Sequence, residues 1–310
     1  MAIFLACVSE FCYNFSANNR KEVVQAQLTF EEKLCKGRIV YDNLAKLQNE
    51  IAQTEENDLL LDITTEGSFG RTFLFLIPCL YYLADQYGKQ LKIQVSNKIY
   101  ENLGRLSFIE TGDTHDLGIG NKMRFVRLAT DENTLSLAKL IVKDIPVNMS
   151  PRLNEDMISK IGEMFNNARE HSNARHVLGG RYRKAGKRFC FACYDTGVGI
   201  PDRVQRFLAD LGVKLNDEDA LRWAMQPFHS TALRSNNPRG QGFQHLKNFA
   251  SSNHGVIRIC TGKVLYTYNC TKGDPEGGKF QKLRNSFLGT LFEMDIKTDD
   301  RRYLYKGELS

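Results

Sequence analysis

The chain has 310 residues, 42% of them hydrophobic and 25% charged, a balance that excludes wholesale disorder. Its length exceeds what one small core organises, so two domains of about 150 residues are expected. A formal charge of +6 permits a nucleic-acid or acidic-protein partner without selecting one.

The apolar run Ala2 to Val8 is too short for a membrane span and lacks the flanks of a signal peptide, so a cytoplasmic protein away from membranes is expected. The eight cysteines are spread along the chain without a secretory signal and read as reduced, mostly buried thiols. Cys190 and Cys193 have half the spacing of a zinc site. They fall in RFCFACYD, a buried-strand pattern in which an offset of three sends side chains to opposite faces.

In chain order, a helix is expected around Phe30 to Gln53, carrying Leu34, Ile39, Leu44, Leu47 and Ile51. DLLLDIT, Asp58 to Thr64, suits a buried strand, and a turn through Gly67 and Gly70 follows. Arg71 to Tyr87 is apolar enough to be a crossover helix, with Gly88 as its C-cap before the strand LKIQVS. That is a β-α-β unit, with a short helix expected over Ile99 to Leu106. YYLADQYGKQLKI and YENLGRLSFIE make this module resemble the STAS-like domain of anti-sigma-factor antagonists. No serine stands at the start of the crossover helix, as a phosphorylatable antagonist would require; the nearest is Ser68, two residues before Gly70. The resemblance implies a regulatory or docking module over residues 1–145, with plain structural packing as the alternative.

DTHDLGIGN, Asp113 to Asn121, reads as a loop, and His115 there lacks the helical hairpin of a phospho-accepting histidine. The boundary is expected between Leu128 and Met149, with Pro146 and Pro151 before the next helix. The basic run Arg181 to Arg188 reads as a hairpin around an Ala-Gly turn rather than a binding patch.

From Asn154, the residues Ile158, Ile161, Phe165 and Ala168 give an apolar stripe at helical period. Glu163, Asn167 and His171 stand at i, i+4 and i+8 on another face. Asparagine is a poor helix former, and its amide oxygen suits a Mg²⁺ ion that shares phosphate oxygens. Downstream, a strand ends in Asp195-Thr-Gly197-Val-Gly199. A carboxylate there can accept a hydrogen bond from an exocyclic amino group, and the glycines allow close backbone approach. NNPRGQGF, with Arg239, Gly240 and Gly242, leads into an amphipathic helix, an arrangement that offers free N–H groups to phosphate. Finally Gly289-Thr290 opens an alternating strand.

These four pieces, in this order over residues 154 to 296, resemble the GHKL superfamily of gyrase, histidine kinases, MutL and the ninety-kilodalton heat-shock chaperone. The resemblance implies a Bergerat-type two-layer α/β sandwich over residues 146–310. It also implies ATP and Mg²⁺ as cofactors. Asn167 would be the metal ligand, Asp195 would hold adenine with Thr290 in support, and Gly197, Gly199, Gly240 and Gly242 would line the nucleotide. Glu163 would orient or deprotonate water, while His171 and Arg239 would touch phosphates or serve as capping contacts. Residues Pro201 to Pro238 would form a lid, with Phe228 as its aromatic or as a core residue at a helix end. Glu170 stands where many kinases have a basic residue, so the phosphate contacts are expected to differ. The chain given ends at Ser310, so the lysine that gyrase and MutL draw from a second domain is expected from a partner or from the N-terminal half.

The expected activity is a Mg-dependent ATPase acting as a nucleotide-controlled switch for a protein partner. The alternatives are a serine protein kinase resembling anti-sigma factors and a module that holds ATP without turnover. A homodimer is left open, and no motif selects a nucleic acid.

Overall fold

A computed structural model of the chain describes residues 26–29, 37–63, 71–95, 106–110, 123–128, 134–143, 145–184, 187–227, 229–231, 242–271, 277–298 and 302–303. It is mixed α/β. The first unit is a parallel sheet in the order β1-β2-β3, from Ala26–Thr29, Asp58–Ile63 and Gln90–Val95. Helix α1 (Arg38–Gln53) connects β1 to β2, and α2 (Arg71–Gln86) connects β2 to β3. The expected β-α-β unit is therefore present, with one strand and one helix more. Gly88 at φ +70° ends α2, and Lys89 N–H reaches back 2.9 Å to the Ala84 carbonyl, closing the glycine C-cap.

The second sheet has six strands in the order β4-β5-β7-β8-β10-β9. Its members are β4 (Leu106–Glu110), β5 (Met123–Leu128), β7 (Val177–Lys184), β8 (Arg188–Asp195), β9 (Val256–Asn269) and β10 (Lys279–Lys297). A two-residue β6 (Asn148–Met149) pairs with β11 (Arg302–Tyr303). The large sheet crosses the boundary expected near residue 145, because β4 and β5 extend it beyond β7. The stretch read as a boundary also contains α3 (Thr134–Lys143), whose Leu137, Ile141 and Val142 pack into the core beside the long helix α4 (Pro151–His171). Ser150 caps α4, its hydroxyl accepting from Leu153 N–H at 3.2 Å, with Pro151 in the first turn.

Period-2 alternation along β8 sorts the two cores. Phe189, Phe191 and Cys193 face α3, α4 and the later helix α7 (Gly242–Ser252), whereas Cys190, Ala192 and Tyr194 face α1 and α2. Cys190 and Cys193 thus point to opposite sides and are not joined in a disulfide, the outcome expected for a strand. Helices α1 and α2 lie between the two sheets. This is why α2 is buried nearly all round, with Phe73, Phe75, Leu76, Ile77, Cys79, Leu80, Leu83 and Ala84 each at most 2% exposed.

The expected lid begins as two helices, α5 (Ile200–Ala209) and α6 (Asp217–Ala224), closed on a small core of Val204, Leu208 and Ala220. The expected short helix over Ile99 to Leu106, except Leu106 itself, which opens β4, lies outside the described residues, as do the Ser68 turn, His115 and its loop, Phe228, Arg239 and Gly240. The His171 side chain does too. Among the described residues no helix is long and apolar enough to cross a membrane.

Candidate nucleotide site

A cavity of about 270 Å³ lies between α4, the end of β8, the middle of β10 and the α5–α6 pair. That is close to the lower end, about 300 Å³, of the range for small-molecule sites. Glu163, Asn167, Asp195, Gly199 and Thr290 all line it. Gly197 does not, and Gly242 enters only as the first residue of α7, whose Phe243 and Leu246 reach the cavity wall.

On the sheet side, β8 delivers Asp195 at its last position, on the same face as Cys193, Phe191 and Phe189. Asp195 stands between Val177 on β7 and Thr290 on β10. It is 4% exposed, and burial pushes its carboxyl up to about 7. Hydrogen bonds from Gly197 N–H (3.0 Å), from the Thr290 backbone and side chain, and from the Ser172 side chain oppose that rise without cancelling it. The group is a buried acceptor in the cavity wall, and its ionised form gains most from one more donor.

The turn after Asp195 explains its glycines. A Cβ on Gly197 would lie 2.1 Å from the Ser172 carbonyl oxygen, so the backbone here presses against the end of α4. Gly199 has φ +83°, and a Cβ on it would meet Thr261 Oγ1 at 2.8 Å. The close approach expected of these glycines is thus made to protein, and it fixes the turn from two sides. Thr261 completes the corner: its hydroxyl donates to Gly289 O (3.0 Å), accepts from Ile200 N–H (3.1 Å) and lies 3.2 Å from Thr290 Oγ1.

On the helix side, α4 contributes Glu163 and Asn167 one turn apart. Glu163 is ion-paired with Lys160 at 3.6 Å, its side chain about one third exposed. Lys160 and Arg203 of α5 both line the cavity. The cavity thus holds two cations, although position 170 is acidic. Lys160 was visible in principle, since it precedes Asn167 by two helical turns on one face. Arg203 was not, because only the fold of α5 brings it there.

The α6 side adds aromatic surface. Trp223 packs against Phe207 (centroids 5.9 Å) and His229 (4.5 Å), and His229 Nδ1 lies 2.9 Å from the Trp223 carbonyl oxygen. Trp223 and His229, with Met225, Ser230 and Thr231, line the cavity opposite the sheet. Cys193 lies beside Asp195 on the wall, but burial holds its thiol well above the usual range, so it is inert.

The donor set fits a nucleotide held with a hard cation: a buried acceptor carboxylate, an exposed amide, a carboxylate and two cations share one cavity. No group of three or more His, Cys, Asp or Glu that could hold a metal unaided occurs among the described residues, so an ion here would draw most of its ligands from phosphate and water. Compared with protein-family models and with curated proteins, the chain matches none.

Proposed function

We propose that the chain binds ATP with Mg²⁺ in this cavity, through a Bergerat-type unit like that of the GHKL proteins, and acts as an ATPase switch for a protein partner. The observation that carries the reading is the meeting of Asp195, Thr290, Gly199, Glu163 and Asn167, from motifs far apart in sequence, around one cavity.

In this reading the ionised Asp195 carboxylate accepts from the adenine amino group, while Thr290 and the Gly197 N–H keep it aimed. Trp223 and Met225 cover the base from the α6 side. Asn167 would give its amide oxygen to the cation, which would supply positive charge against the phosphates. Lys160 and Arg203 would contact the phosphates, supplying positive charge that the motifs alone did not. Glu163 would take the proton of an attacking water, and it reaches that role only once Lys160 moves from the carboxylate to phosphate. Closure around the nucleotide would shift α5 and α6 and alter the surface a partner meets.

A second reading is favoured by the parallel β1-β2-β3 sheet with α1 and α2, an arrangement consistent with a STAS-like module: a serine protein kinase resembling anti-sigma factors. Phosphate release from ATP and Mg²⁺, in wild type and in Glu163→Ala, tests the ATPase. Release in wild type that is lost in the variant while binding persists supports it. Binding without release in either protein overturns hydrolysis and favours the kinase or a holding module.

A further inference from the structure

The adenine-side corner of the cavity is held from behind by a glutamine of the first unit. The ladder between β9 and β10 breaks there. Phe287 pairs with Gly262 and Thr290 pairs with Thr261, so three steps along β10 match one along β9, and Leu288 and Gly289 have no ladder partners on that side. The bulge is tight: Gly289 has φ +78°, and a Cβ on it would lie 1.9 Å from the Asp195 carbonyl oxygen.

Gln48 of α1, 2% exposed, fills the gap. Its Oε1 accepts from Leu288 N–H at 2.9 Å, and its Nε2 donates to Leu288 O at 3.2 Å, as a neighbouring strand would. The same Nε2 donates to the Tyr194 hydroxyl at 3.0 Å, and that hydroxyl donates to Leu288 O at 3.1 Å. One amide therefore ties together the residue before Asp195 and the bulge before Thr290. A second glutamine acts on the next turn. Gln86, at the end of α2, accepts from Thr196 Oγ1 and from Arg175 N–H, both at 2.9 Å, and Thr196 directly follows Asp195.

We infer that Gln48, assisted by Gln86, is a positioning residue for the nucleotide site: α1 and α2 set the register at which Thr290 meets Asp195, and so set affinity for the adenine ring. This rests on the nucleotide reading. Neither glutamine lines the cavity, so each acts only through the strands it holds. A ligand or partner that shifts α1 or α2 against the large sheet changes nucleotide affinity, and nucleotide changes the docking of that partner by the same factor.

The test is calorimetric titration of Mg-ATP and Mg-GTP into the full chain and into Gln48→Met, Gln86→Ala and, as a control, Asn49→Ala. Asn49 Nδ2 bonds Ser286 O on the same strand ahead of the bulge, so its loss perturbs the same interface without touching Leu288. The expected result is a loss of about tenfold in ATP affinity for Gln48→Met and a smaller loss for Gln86→Ala, with the preference for ATP over GTP reduced in both. Asn49→Ala should keep wild-type affinity and preference. In a Thr290→Val background, Gln48→Met should add little, because both act on one carboxylate. If Gln48→Met fails to fold, Gln86→Ala carries the test. Wild-type affinity and preference in the folded glutamine variants, or equal losses in Asn49→Ala, overturn the inference and leave the nucleotide reading intact. No ATP binding by wild type overturns both.

Discussion

Thr290 stands directly opposite Asp195 in the β8–β10 ladder, and both its backbone and its side chain hydrogen-bond to the Asp195 carboxylate. A strand end thereby becomes a fixed acceptor: the sheet sets the spacing and the threonine sets the direction. Replacing Thr290 with valine keeps the β-branched shape and removes only the hydroxyl, which also lies 3.2 Å from Thr261 Oγ1. The expected cost is about 1–3 kcal/mol of stability, from buried groups left unsatisfied. ATP affinity should fall about tenfold, because the carboxylate loses a donor that favours its ionised form. Chemical unfolding and calorimetry check the two effects separately.

Asp195 also burdens the empty protein. Its carboxyl titrates near 7 when folded, against 3.8 ordinarily, so the folded state holds the proton more tightly than the unfolded state. The stability this supplies is fully present below about pH 4. It is lost as pH rises towards 7 and stays lost above. Asp195→Asn cannot ionise, and its side-chain oxygen can still accept from Gly197 and Thr290. Without ligand it should be more stable than wild type at pH 8, by at most about 4 kcal/mol, and close to wild type at pH 4. Thermal unfolding at the two pH values decides this, and a variant less stable than wild type at pH 8 contradicts it.

The same titration gives nucleotide binding a pH dependence. An amino donor on the ligand favours the carboxylate, so ATP affinity should rise as pH increases through about 7 and level off above. Binding titrations from pH 5.5 to about 8.5 in buffers of different ionisation enthalpy would register the proton released near neutrality. An affinity that is flat across that range is incompatible with Asp195 as the adenine acceptor.

Gly197 supports the site without lining it. Gly197→Ala puts a Cβ within 2.1 Å of the Ser172 oxygen and 2.5 Å of its Cβ, against the end of α4 that neither turn nor helix can vacate cheaply. The variant should lose about 3 kcal/mol or more, or fail to fold. Gly212→Ala, at φ +76° with open space around it, should cost about 1–2 kcal/mol from backbone strain alone. Denaturant unfolding of the pair separates steric from conformational cost.

Much of this site was legible in the sequence because its signals are local. Glu163 and Asn167 follow from helical spacing, Asp195 from the end of a buried-strand run, and Gly88 from its place after an apolar helix. What was not legible depends on tertiary packing. β4 and β5 are short strands that gain meaning only beside β7, so residues 106–128 read as part of the N-terminal module rather than as an extension of the large sheet. α3 was hidden for the same reason, since its burial comes from α4. Thr261 sits mid-strand and joins the corner only through the antiparallel pairing of β9 with β10. Gln48 lies on a helix whose apolar stripe was clear, but the hydrogen-bonding need it meets is created by a bulge more than two hundred residues later.

Calorimetric titration of Mg-ATP into wild type and Asp195→Asn at pH 8, with folding of both verified by thermal unfolding, decides whether Asp195 receives the adenine of ATP. Wild type should bind, and the variant should lose at least about a hundredfold in affinity, since the amide can present its own donors to the ligand's amino group. Equal affinities in two folded proteins, or no binding by wild type, would contradict that role for Asp195.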